Sequence, residues 1–210
     1  MSTPELPADI DGAMQTPREA RRGFRVPLPF LLIAATYALA VLSFAPPMFG
    51  VVMSPPLPYG WHKALHVFGA MMFVGNLFVT GLWAGLAMRT GDTAILRFAV
   101  RTLVWADVVF TAPGLLLVLA NAAVLAPTWG GVTGTSWLTA SLVLLAVLGV
   151  LGTALMPVQV LLWNLAERDD DPRFVDEAHR LFRWWAWLGM PASITPVVIV
   201  WLMTAKPSFG

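Results

Sequence analysis

Trp61–Met88 reads WHKALHVFGAMMFVGNLFVTGLWAGLAM. It is long enough to cross a bilayer, since a helical crossing takes about 20 apolar residues. The stretch is not uniformly apolar. His62, His66, Gly69, Phe73, Asn76 and Thr80 follow one another at steps of three or four, so a helix places them on one face. Polar groups turned to hydrocarbon are costly, so this face is expected to look into a bundle of helices. A bundle needs further spans, and the rest of the chain supplies them.

The residues are 58% hydrophobic with a mean hydropathy of +0.72, and only 12% are charged, about half the share found in soluble domains. Only helices or closed barrels cross a membrane, and apolar runs of this length select helices. The fold class is therefore an all-α integral membrane protein. A net charge of +1 speaks against a nucleic-acid partner. The absence of cysteine removes disulfides, thiolate nucleophiles, iron–sulfur clusters and thiolate-bound haem.

Residues 1–26 are polar, proline-rich and charged, and read as a disordered cytoplasmic tail with a basic cluster at Arg18, Arg21, Arg22 and Arg25. The transmembrane domain covers 27–206, with spans at about 27–45, 61–88, 92–126, 136–166 and 172–204, and 207–210 form an outer tail. The first span is read as an uncleaved anchor, because Pro46 disfavours cleavage after Ser43-Phe44-Ala45. Five prolines between Pro46 and Pro58 exclude a regular helix there. Asp92 is placed to cap the third span, and Asp171-Pro172 to start the fifth.

Eleven of the thirteen basic residues fall in the tail and in the second-to-third and fourth-to-fifth connections, leaving Lys63 and Lys206 on the other side. The positive-inside rule then sets the N-terminus in the cytoplasm and the C-terminus outside. Tryptophans favour the interfaces, and their positions agree: Trp61, Trp129, Trp137 and Trp201 at the outer one, Trp105, Trp163, Trp184 and Trp185 at the inner.

Of the acidic residues, Asp107 alone falls well within a span. At 1.5 Å per residue it lies about 9 Å below the inner surface, and Gln159 lies at about the same depth. Arg183 is expected to reach that level as the counter-charge, giving an intramembrane cluster of Asp107, Gln159 and Arg183. Such a cluster either fixes packing or carries protons or substrate. Pro113, Pro157, Pro191 and Pro196 interrupt the later spans and free carbonyls that line a cavity or meet a packing partner. Gly81 and Gly85, with Gly149 and Gly152, are expected at close helix contacts.

His62 and His66 stand one turn apart near the outer surface. They can chelate one metal together, but they cannot be the two opposite axial ligands of one haem. A haem on His66 therefore needs methionine, lysine, water or a second subunit. Met48 and Met53 in the outer loop can join the histidines in a copper(I) site, because thioethers are soft ligands. The plainer reading makes His62 an interfacial polar residue and His66 a buried hydrogen-bonder with Asn121 as its candidate partner.

Lys63-Ala-Leu-His66-Val-Phe-Gly69 through Asn76, then Trp105-Ala-Asp107 through Pro113-Gly114, resembles the domain-of-unknown-function family 2269 of bacterial membrane proteins. Met156-Pro157-Val-Gln159 and Arg183-Trp184 through Gly189-Met-Pro191 fit the same pattern, so the resemblance covers about 61–204 and implies the inner membrane of a bacterium. More distantly, the last four spans are similar to HemJ-type protoporphyrinogen oxidase and to CopD-type copper-resistance proteins. That likeness implies a HemJ-like bundle and makes His66 a haem ligand, while Asn76, Asp107 and Gln159 depart from the oxidase pattern. Three functions follow. The first is a haem-b-binding membrane protein with an electron-transfer or redox role, His66 and Asn76 at the cofactor and Asp107, Gln159 and Arg183 lining its cavity. The second is copper uptake at the outer face through His62, His66, Met48 and Met53. The third is a ligand-free accessory subunit, paired with itself or with a membrane complex.

Overall fold

The computed structural model describes residues 26–168 and 173–209, and there the chain is helices and their connections. The expected tail, apart from Val26, and the helix start at Asp171-Pro172 lie outside the described residues. Five helices are long and apolar enough to cross a membrane: α1 (Leu28–Met48), α2 (Tyr59–Thr90), α3 (Thr93–Trp129), α4 (Ser136–Ala166) and α5 (Phe174–Ala205). Only 17–33% of each spanning window is buried, which leaves most of the apolar surface facing outward, as a lipid-embedded bundle requires.

Local chemistry sets the helix ends. α1 continues beyond Ala45 and takes Pro46 and Pro47 into its last turn. Proline's fixed φ is already helical, and so near the end its missing N–H orphans few carbonyls. α2 stops at Gly91, whose φ of +63° is a left-handed cap that glycine adopts without strain. Asp92 then caps α3, its Oδ1 accepting from the Ile95 N–H at 3.0 Å. Early in α3, Leu96, Val100 and Val104 point inward at four-residue steps. Arg101 faces water, pairing with Glu167 at 3.1 Å. The Arg97 guanidinium stacks over the Phe174 ring, 4.9 Å from its centroid.

Packing is most extensive between α4 and α5 and between α2 and the second half of α3. α1 lies along α3: Ala40 and Phe44 meet Leu119 and Ala123, and Phe30 and Ile33 meet Val104 and Val160. At the end of the bundle bearing Arg89, Arg97 and Arg101, the core is Leu96, Val100, Leu162, Leu165, Phe174 and Ala178. We call this the basic end. Mid-bundle, Phe73, Leu148 and Ala192 bring α2, α4 and α5 together.

The close helix contact is not where Gly81, Gly85, Gly149 and Gly152 pointed. A Cβ on any of those four would meet nothing within 4 Å. The close approach is instead between Gly69 of α2 and Gly114 of α3, where each would-be Cβ runs into the other helix's backbone. Spacing reveals small residues, but only the rotation of each helix decides which of them meet.

Candidate functional site

Asp107 begins a π-helical turn, Asp107–Thr111, that ends just short of Pro113. Proline has no N–H for the Val109 carbonyl and its ring crowds that oxygen, so the helix widens there, and the Ala112 N–H reaches back to the Asp107 carbonyl. The widened turn faces Asn76 of α2 on one side and Gln159 of α4 on the other.

Four side chains converge. The Thr111 hydroxyl donates to Asp107 Oδ1 at 2.6 Å. Asn76 Nδ2 donates to the same oxygen at 3.1 Å and to Thr111 Oγ1 at 2.7 Å. Gln159 Nε2 donates to Asp107 Oδ2 at 3.2 Å. Both carboxyl oxygens therefore accept from neutral donors, and three helices are tied at one point. Asn76 and Thr111 are buried, and Asp107 and Gln159 are partly so. The Thr80 hydroxyl donates to the Asn76 carbonyl at 2.6 Å and steadies that turn of α2. Tyr37 of α1 packs against the cluster of Phe30, Ile33, Val104 and Val160, as does Val108, the chain neighbour of Asp107 in the widened turn.

Arg183 is not part of this cluster. It is exposed on α5, beside Arg180, Trp184 and Trp187, and Asp107 makes no ion pair among the described residues. The α5 face that turns Ala178 inward carries Arg183 outward, a matter of helix rotation that depth counting cannot see. Thr111 and Tyr37 were missed by reading the sequence; Thr111 was discernible as the i+4 neighbour of Asp107, whereas nothing in the spacing indicated Tyr37. Towards the basic end, a narrow cavity of about 20 Å³ among Ala84, Leu103, Val104, Gln159, Phe182 and Trp185 has room for one water molecule.

The histidines occupy a second level, towards the opposite end. His62 is 4% exposed, and both its ring nitrogens are engaged. Its Nε2 accepts from the Leu57 N–H at 3.4 Å, so its Nδ1–H donates to Asn121 Oδ1 at 2.8 Å, and Asn121 is thus the partner of His62 and not, as expected, of His66. His66 differs. Its Nδ1–H donates to the Val118 carbonyl at 2.9 Å, which leaves the Nε2 lone pair without a hydrogen bond and not fully buried. The two levels are separate: Gly69 and Phe73 lie between them, so Asn76 belongs to the Asp107 network and not to the surroundings of His66.

Of the proposed copper ligands, Met53 packs against the cluster of Ala40, Phe44 and Leu119, and Met48 is exposed at the end of α1. Among the described residues, no three His, Asp or Glu side chains gather as a metal site.

No curated protein and no solved structure matches the chain. The family described as "Predicted integral membrane protein (DUF2269)" does match, over residues 61–207, which take in the polar face of α2, the Asp107 network and the whole of α5, and the chain belongs to that family.

Proposed function

We propose that the chain is a haem-b-binding protein of the bacterial cytoplasmic membrane with an electron-transfer or redox role, its iron held by His66. One observation carries this reading: the His66 ring is oriented by the Val118 carbonyl through Nδ1 and presents an unpaired Nε2. A backbone carbonyl on one ring nitrogen and a lone pair on the other is the usual condition of a metal-ligating histidine. The haem would supply one-electron chemistry at that nitrogen. The chain's own share is to fix the tautomer and to limit where a macrocycle fits. The Gly69–Gly114 contact and the Phe73 cluster fill the space towards the bundle centre. That leaves the Lys63 end of α2, or a contact with a second subunit, for the ring. This chain offers no second histidine there, because His62 is spoken for on both nitrogens. The resemblance to the HemJ type read in the sequence implies the same ligand. In this reading the basic end is cytoplasmic, in line with the eleven of thirteen basic residues assigned to that side.

The copper alternative requires His62 to give up either Asn121 or Leu57, whereas the haem reading breaks no hydrogen bond of His66. The deciding experiment is an absorption spectrum of the purified protein, oxidised and reduced, beside that of His66→Ala. A Soret band and reduced α and β peaks that vanish in the variant support the proposal. Full haem retention by the variant overturns it.

A different observation favours a second reading. The Asp107 network is complete, neutral in its donors, and ties α2, α3 and α4 together. In that reading the chain is an accessory membrane subunit without a ligand, and the network is its structural pin. A large loss of stability in Asp107→Asn, with no pigment in the parent protein, selects it.

A further inference from the structure

The exposed face of α5 near the basic end carries Arg180, Arg183, Trp184, Trp187 and Leu188, which border a shallow open groove. Arg180 and Arg183 are three residues apart on a helix, so their guanidinium groups project side by side. Among the described residues neither makes an ion pair or a hydrogen bond. Asp176 and Glu177, one turn nearer the helix start, do not pair with them. Beyond the arginines the character changes. Trp184 and Trp187 are 63% and 74% exposed, and Met190 and Ile194 continue an apolar surface towards mid-span.

Two cations without a partner among the described residues, followed by exposed indoles and then aliphatic surface, match, in order, a phosphate, a glycerol backbone and an acyl chain. We propose that this face of α5 is a binding site for an anionic phospholipid, its phosphate seated between Arg180 and Arg183, its glycerol backbone against Trp184 and Trp187, and its acyl chains along Leu188, Met190 and Ile194. Guanidinium groups meet phosphate oxygens in bidentate geometry, and tryptophan prefers the headgroup level. Charge decides against a second copy of the chain as the occupant. No acid among the described residues lines the groove, so a symmetric contact across it would set four arginines against one another. The site is independent of the haem reading and shares no residue with the His66 or Asp107 levels.

The test uses the full chain in neutral detergent, offered phosphatidylglycerol, phosphatidylcholine or inorganic phosphate, with bound lipid counted by native mass spectrometry. Phosphatidylglycerol should be retained over phosphatidylcholine, and excess inorganic phosphate should not displace it. The double variant Arg180→Gln, Arg183→Gln should lose about thirty-fold in phosphatidylglycerol affinity, the effect of two arginines near an anionic headgroup. Arg89→Gln, a cation at the same end but on α2, should keep the parent affinity. Equal retention of the two lipids, displacement by phosphate, or parent affinity in the double variant overturns the proposal. So does a shift from dimer to monomer caused by the double variant, which would identify a second copy as the occupant. Circular dichroism shows whether that variant is folded; if it is not, Trp184→Leu with Trp187→Leu takes its place and must weaken phosphatidylglycerol retention, and parent affinity there overturns the proposal as well.

Discussion

Gly69 and Gly114 touch backbone to backbone. A methyl group on Gly69 would come within 2.7 Å of the Gly114 carbonyl oxygen, and one on Gly114 within 2.8 Å of the Gly69 carbonyl oxygen. Backbone atoms cannot rotate aside, so α2 and α3 must separate to admit either methyl. Gly69→Ala and Gly114→Ala should each lower stability by about 1–3 kcal/mol, the usual range for overpacking. Gly85→Ala and Gly149→Ala add a Cβ to open space and should be neutral or slightly stabilising, because alanine favours helix. Thermal melts of the four variants in detergent give the ranking. Equal behaviour of the two pairs would contradict the contact.

Much of this was legible in advance, and the failures share one cause. Runs of apolar residues mark five helices, and three-four spacing collects His62 to Thr80 on one face of α2, because both signals lie within a single helix. Counting depth at 1.5 Å per residue set Asp107 level with Gln159, and they are bonded. Depth carries no information about rotation. Arg183 sits near the right level on the wrong side of α5, and Gly81 and Gly149 are small residues on open faces. The π-helical turn is a further rotation. It slips the register of α3 by a fraction of a turn ahead of Pro113, and straight-helix counting assumes no such slip.

The Asp107 network predicts an asymmetry between substitutions. Asp107→Asn replaces one acceptor oxygen by a donor that faces Asn76 and Thr111, or Gln159, all of which already donate. Stability should fall by about 1–3 kcal/mol, as expected when a buried donor is left unmatched. Gln159→Leu removes a donor from Oδ2 alone and should cost less. A parent-like melting temperature in Asp107→Asn would remove the support for a structural pin.

The histidines should separate cleanly in their effects. His66→Ala is expected to abolish haem binding and leave helicity unchanged, because its one hydrogen bond is to the Val118 backbone carbonyl. His62→Ala is expected to keep the pigment but lose stability, since it strands the Asn121 carboxamide oxygen and the Leu57 N–H. The pigment-to-protein ratio and a melting curve on each variant test both statements. Loss of pigment in His62→Ala and not in His66→Ala would reverse the assignment of the ligand.

At the opposite end of the bundle, Lys206 ends α5 with a φ of +47°, the single positive value outside glycine among the described residues. Its Nζ lies 3.7 Å from the centroid of the Trp129 ring and 5.8 Å from that of Trp137, and the two indoles pack edge to face. Left-handed backbone is unfavourable for lysine by about 1 kcal/mol, and an exposed cation–π contact is worth about as much in the other direction. The cation over the indoles is therefore what offsets the strained cap. Lys206→Gly relieves the strain and loses the contact, and should melt close to the parent protein. Lys206→Met keeps the strain and loses the contact, and should melt lowest of the three. If Lys206→Gly proves clearly more stable than the parent, the contact with Trp129 contributes nothing and the strained cap stands uncompensated.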